Sequence, residues 1–475
     1  MARRKKLQTY TLFIPESIDI DTILQKNKPN FPFKRDKFVY MIHLINQVCV
    51  AKKDEESEFT KLFAPLLKDK FGTNYKRYLE YLIERNIIVC NNHYSVTNHI
   101  SKGYKFTEIH KKSILKEVKI TDNKTIDKVK TFTNLESGRV FNILPETPKH
   151  SIQIFEKWFN DKLTIDISGV EKKLEEMKSK ELSQNSRVYE SYMTNKEDKA
   201  LKKEYENLKD PYRAYSRRMM PALTIKNKQY LLNKDRTSGR LHSPLTQLKK
   251  VLRQYLRYDG EKLVSIDIKN SQPYLSTVLF NRNYFNLNKM GARLKLYNNS
   301  VDYKKSPIAF HYVSQKVPPE DVGVYISQVT KGNFYEEFAE QLVEKGLLSA
   351  DIADKRKEAK NITFTSFFSP NRLKQHVEEI KLFEEIYPNV YKNFAFVKKG
   401  KHHNTLACVL QNLEAEIILE DICKKIAFKY PEAPIFTIHD SIVTTNKYLQ
   451  AIKQIMEEVL IERVGYPPVL TIEKW

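Results

Sequence analysis

A chain of 475 residues is long enough for about three domains of roughly 150 residues each and for a sizeable core. Hydrophobic residues make up 41% and aromatics 11%, which excludes a disordered chain, and no stretch approaches the roughly 20 apolar residues of a membrane span. The 81 Lys and Arg against 58 Asp and Glu leave a formal charge of +23, which favours a polyanionic partner through charge neutralisation and counterion release.

The basic start Arg3-Arg4-Lys5-Lys6 is not followed by the apolar run of a secretory leader, so a cytoplasmic protein with no membrane partner is expected. Cys49, Cys90, Cys408 and Cys423 lie far apart in apolar stretches and form no CxxC pair. They read as small buried hydrophobes rather than as a zinc site or a disulfide framework. Only 12 glycines and no GxxxxGK[ST] argue against a phosphate-cradling loop.

In chain order, residues 1–110 read as an N-terminal module. FVYMIHLINQVCV, EFTKLFAPLLKDKF and NYKRYLEYLIERN have helical spacing, and IIVC, NNH and YSVT read as strand, turn and strand. Helices followed by a small hairpin is the order of a winged helix-turn-helix. Residues 111–218 are charge-dense, and VEKKLEEMKSKELSQNSRVYESYMTNKEDKALKKEYENLKD reads as long solvated helix, a thumb-like arm or linker. From 219 the texture changes. KLVSIDI, PIFTIHD, SIVTT and VLTIE are β-branched strands around a long helical middle, dividing the rest into 219–300, 301–400 and 401–475.

Two acids stand out against these strands. Asp267 lies within KLVSIDI, and His439-Asp440 joins two β-branched runs. A carboxylate beside buried strands is costly unless its charge is compensated. One ordinary reading is an acid paired with Lys and another in a turn. The sharper one is convergence on shared cations: two Mg²⁺, with Mn²⁺ as a substitute, serving phosphoryl transfer through carboxylate, water and phosphate oxygens.

In DIADKRKEAKNITFTSFFSPNRLK, Arg356, Lys360, Phe364 and Phe368 recur every four positions on one helix face. Two cations followed by two aromatics suit a nucleoside triphosphate lying along the helix, the alternative being an amphipathic helix whose aromatics are core. Gly239-Arg240 in KDRTSGRLHSP offers a turn cation for sugar or phosphate. Gln411, in the apolar helix LACVLQNLEAEIILEDI, is a helix cap or a reader of minor-groove acceptors.

Together these segments resemble the polymerase domain of family A DNA polymerases and the related phage-type single-subunit RNA polymerases. The resemblance covers roughly 219–475 and lies in their order: a GR turn, an Asp strand, an R-x3-K-x3-F-x3-[YF] helix, a Gln-bearing helix, then HD and the final TIEKW. It implies an α+β right-hand fold with an antiparallel-sheet palm and helical fingers and thumb. It implies Asp267 and Asp440 as catalytic metal-binding acids. Arg356, Lys360, Phe364, Phe368 and Tyr274 would meet the incoming nucleotide, and Arg240, Gln411, His439 and Gln272 the primer-template. The implied partners are a DNA primer-template, with RNA as the alternative, and nucleoside triphosphates. The chain would act as a monomer in a bacterial or phage-infected cell, and its origin would be a phage or mobile element.

The chain departs from the family pattern in several places. Gln272 follows Asp267 by five residues where DNA polymerases have three, Tyr274 stands where they have a Glu, and Ser441 follows the HD pair, as in the RNA enzymes. Phe364 fits the DNA polymerases, and Phe368 replaces a Tyr. DIDT at 19–22 and DISGVE at 166–171 do not reproduce the Asp-x-Glu of a proofreading domain. The reading is a DNA polymerase without proofreading. A single-subunit RNA polymerase or primase-like enzyme is the alternative, and a non-catalytic DNA-binding replication protein is a third.

Overall fold

The computed structural model describes residues 8–47, 59–92, 101–131, 149–208, 210–235, 238–280, 320–398 and 404–475. The basic start at 3–6, Cys49 and the strand expected at 94–97 lie outside these. The fold mixes helices with antiparallel sheets and forms two compact units. The first comprises 1–147, 163–233 and 243–256, and the second 148–162, 234–242 and 257–475. Among the described residues no helix is long and apolar enough to cross a membrane.

The first unit runs β1 (Tyr10–Pro15), α1 (Arg35–Gln47), β2 (Thr60–Lys61), α2 (Ala64–Phe71), α3 (Tyr75–Glu84), β3 (Ile88–Cys90), β4 (Gly103–Phe106) and β5 (Leu115–Ile120). It ends in the long helices α4 (Ile167–Thr194) and α5 (Pro211–Lys226). The EFTK segment, expected to open a helix, instead gives strand β2, because Pro65 suits only the first turn of α2 and the β-branched Thr60 pairs with Tyr104. The three-stranded sheet has the order β2-β4-β3. Helix α3 buries Tyr78, Leu79, Tyr81 and Leu82, with the ring of Phe38 of α1 tilted against that of Tyr78, 4.6 Å between ring centres.

Within the stretch expected to be helical, Leu115–Ile120 is instead a strand, running antiparallel to β1 from Tyr10↔Ile120 to Pro15↔Leu115. Helix α4 has 28 residues, of which only Val170, Leu174 and Val188 are buried. Asp19 and Asp166, the acids of DIDT and DISGVE, are helix N-caps accepting from the backbone N–H of Thr22 and Gly169.

The second unit contains β6 (Glu261–Ile268), α6 (Ser271–Ser276), α7 (Glu320–Lys331), α8 (Phe334–Glu344), α9 (Lys355–Phe368), α10 (Glu378–Ile386) and α11 (Pro388–Val397). It continues through α12 (Thr405–Ala415), β7 (Phe436–Ile438), β8 (Ser441–Thr445), α13 (Leu449–Val464) and β9 (Leu470–Lys474). Strand β6 is central, antiparallel to β8 on one side and β9 on the other, with β7 outside β8. Helices covering the sheet leave Leu263, Val264, Ile266 and Ile268 all buried, which is why this segment reads as a continuous apolar run rather than an alternation. Helices α7 to α11 share an aromatic core in which Phe367 lies 4.6 Å from Phe394 and 5.6 Å from Phe383, ring centre to ring centre.

One buried histidine ties β1 to α1. His43 is 4% exposed, and its Nδ1 lies 3.0 Å from the backbone N and 3.1 Å from the carbonyl O of Phe13. Burial pushes the imidazole down to about 4, against the opposing pull of the Phe13 backbone. A denatured-state histidine titrates near 6.5, so between pH 6.5 and 4 the unfolded chain holds a proton that the folded chain excludes. The contribution is complete above pH 6.5 and is lost as pH falls through this window, by about 3 kcal/mol in full. Denaturant midpoints for the first unit should therefore fall from pH 7.5 to 4.5 more steeply in the wild type than in His43→Gln. Equal slopes would remove His43 from this role.

Candidate active site

The register of β6 against β8 brings the two strand acids together. Asp267, next to last in β6, pairs with Ser441, the first residue of β8. The β7–β8 hairpin pairs Ile438 with Ser441, so His439 and Asp440 form its two-residue turn, His439 with φ +55° in the left-handed region. Asp267 and Asp440 thus meet at one end of the sheet. Asp267 Oδ1 accepts the hydroxyls of Ser265, at 3.3 Å, and of Ser441. Burial pushes the Asp440 carboxyl above the usual carboxylate range, against the opposing pull of the Ser271 hydroxyl and the charges of Arg240 and Lys360. The rings of His439 and His242 meet edge to face at 6.3 Å.

Helix α9 starts at the Asp354 N-cap, which accepts from Lys357 N at 3.0 Å. Its buried face is Ala359, Thr363, Ser366 and Phe367. Arg356, Lys360, Phe364 and Phe368 occupy the other, partly open face, so the two aromatics of that set are not the helix's core residues. Arg356 donates through Nε to Glu336 (3.0 Å) and through Nη2 to Asn270 (3.2 Å), with its guanidinium 5.3 Å from the Tyr335 ring. Lys360 Nζ lies 5.5 Å from the Phe364 ring, which is 5.6 Å from Phe368. The Lys360 charge also acts on Asp440, favouring its ionised form.

The third component is the turn at Gly239-Arg240. Gly239 has φ +69°, and a Cβ there would stand 3.1 Å from Asn412 Oδ1 and 3.4 Å from Ala415 Cβ, so glycine allows the turn to lie against α12. Arg240 forms a bidentate ion pair with Glu414 of α12, Nε to Oε1 at 2.7 Å and Nη2 to Oε2 at 2.9 Å. Gln272 Nε2 donates to the same carboxylate at 2.7 Å, and Ser271 Oγ approaches it at 3.4 Å. Glu414 is 1% exposed, and burial raises its carboxyl to about 7, with Asp440 pushing the same way and Arg240 opposing. Past Ala415 the helix widens into the π-helical turns Glu416–Ile422.

Of the residues singled out from sequence, Asp267 and Asp440 come together through the β6–β8 pairing, Arg240 and Gln272 share Glu414, His439 meets His242, and Arg356, Lys360, Phe364 and Phe368 line one face of α9. Gln411 is half-buried one turn before Glu414 and makes no hydrogen bond to another described residue. Tyr274 stands apart: it is 1% exposed, and its hydroxyl is committed to the carbonyl of Tyr466 at 2.8 Å. The sequence reading missed Glu414, Ser271, Asn270, Tyr335 and Glu336. Glu414 had a signal, since it continues the apolar phase of Leu406 and Leu410 in steps of four, where a carboxylate needs a buried partner. Among the described residues no group of three or more His, Cys, Asp or Glu is arranged to hold a metal ion.

No protein-family model matches the sequence, and no curated protein matches it. Among solved structures, the chain is similar to the POL domain of Pol1 from M. smegmatis, determined in complex with DNA primer-template and dNTP. The two are 10% identical over 70% of each chain, with a TM-score of 0.41.

Gly239→Ala should lower stability by about 1–2 kcal/mol, from the left-handed backbone and the close contact with α12. Thermal unfolding of the two proteins measures it, and an unchanged midpoint would contradict the packing described for this turn.

Proposed function

We propose that this protein is a templated nucleotidyltransferase, a family A-like DNA polymerase without proofreading, that extends a nucleic-acid 3′-hydroxyl with nucleoside triphosphates. The observation that carries the reading is the meeting of Asp267 and Asp440 through the β6–β8 register, facing cations from α9 and from the Gly239-Arg240 turn.

The two carboxylates form a hard-oxygen donor pair, a donor chemistry that suits Mg²⁺ or Mn²⁺. Divalent cations held by Asp267 and Asp440 would supply, when bound, activation of the 3′-hydroxyl and neutralisation of the leaving pyrophosphate. The chain's own residues do the rest. Arg356 and Lys360 lie one helical turn apart and offset the triphosphate's charge as the α-phosphate is attacked in line. Phe364 and Phe368 offer apolar surface to base and sugar. Arg240, Gln272, Gln411 and His439 hold the primer end. The Ser265 and Ser441 hydroxyls orient Asp267 by donating to Oδ1.

The same reading makes the chain a monomer acting in the cytoplasm of a bacterial or phage-infected cell. Its +23 charge suits a primer-template partner. The order α1-β2-α2-α3-β3-β4 supports a winged-helix assignment for the N-terminal module.

Primer extension with Mg²⁺ tests the proposal directly. Asp267→Ala and Asp440→Ala should each reduce extension by at least about a thousandfold while primer-template binding persists, and Lys360→Ala should raise the KM for the nucleotide about tenfold or more. Parallel reactions with four dNTPs and four NTPs separate a DNA from an RNA product. Undiminished extension by either Asp variant would sink the assignment.

A further inference from the structure

We infer that Glu414 is a positioning residue of this site, whose carboxylate, braced by Gln272, holds Arg240 in the orientation in which it meets the end of a primer. The inference rests on the nucleotidyltransferase reading above and adds to it a residue that carries no substrate contact of its own.

The geometry is that of a clamp. One carboxylate on α12 receives two parallel bonds from Arg240, a third from Gln272 and a longer approach from Ser271, so it joins the Gly239-Arg240 turn, α6 and α12 at a single point. Such a cluster makes sense only if the buried charge is fully engaged, because an isolated carboxylate at 1% exposure is costly.

What the clamp leaves over defines its use. With Nε and Nη2 on Glu414, the Nη1 of Arg240 has no hydrogen-bond partner among the described residues. Gln272 places its Nε2 on the carboxylate. Its Oε1 is buried without a partner among the described residues. From this rigid base Arg240 presents Nη1 as a donor, which matches an acceptor on the edge of a terminal base pair or its sugar, while the enclosed Gln272 braces the carboxylate. Without Glu414, Arg240 would have to be ordered by the primer itself, at a cost in affinity.

The effect should fall mainly on primer affinity. Glu414→Gln keeps the volume but sets an amide donor against Arg240, and should weaken primer-template binding about tenfold. The KM for the nucleotide and the single-turnover rate at saturating primer should change by less than that. Because Glu414 acts partly through Arg240, the double variant Arg240→Ala/Glu414→Ala, in which no charge is left unpaired between the two, should bind primer no more weakly than about twofold below Arg240→Ala alone. Wild-type primer affinity in Glu414→Gln overturns the inference, as do independent, multiplying losses in the double variant or a fall in the saturated single-turnover rate at unchanged affinity. A wild-type protein that extends no primer at all is a different outcome: it refutes the proposed function.

Discussion

Strand β6 enters the sheet with Asp267 opposite Ser441, and the rest of the site follows from that pairing. A shift of one residue would turn Asp267 to the other face and separate it from Asp440. The register is secured by the apolar residues around it, Leu263, Val264, Ile266 and Ile268 against Ile442 and Val443, which are all buried. Apolar packing therefore sets the position of two charges that are themselves unfavourable where they sit.

Those charges are tolerated because cations reach them from elements distant in sequence. Arg240 arrives on a glycine turn and Lys360 on α9, while Arg356 on the same helix face is engaged by Glu336 and Asn270. Glu414 adds a third acid to the region, which raises the electrostatic cost further and is met by four donor groups from three residues. A network of this kind is favourable when every member is satisfied and unfavourable when one is removed, so it specifies a single arrangement of turn, α6 and α12.

Helix α9 divides its two jobs between two faces. Ala359, Thr363, Ser366 and Phe367 anchor it in the aromatic core, and Phe367 makes ring contacts with Phe383 and Phe394. With the helix held from that side, Arg356, Lys360, Phe364 and Phe368 can remain on an open face without loss of order. In the first unit, a single neutral histidine, His43, plays the comparable part by joining β1 to α1 through the backbone of Phe13.

Much was legible in the sequence because it depends on neighbours along the chain. β-Branched apolar runs gave the strands around Asp267 and Asp440, and the period of four placed Arg356, Lys360, Phe364 and Phe368 on one face. The strand at Thr60 was not legible within EFTKLFAPLLKDKF, because it needed Tyr104, more than forty residues away, to form. Only the tertiary structure decided which face of α9 is buried, that Tyr274 gives its hydroxyl to Tyr466 instead of facing the site, and that Glu414 grips Arg240 across 174 residues. These outcomes turn on hydrogen bonds and desolvation between segments remote in sequence, and local periodicity carries no record of which distant donor will meet a buried acid.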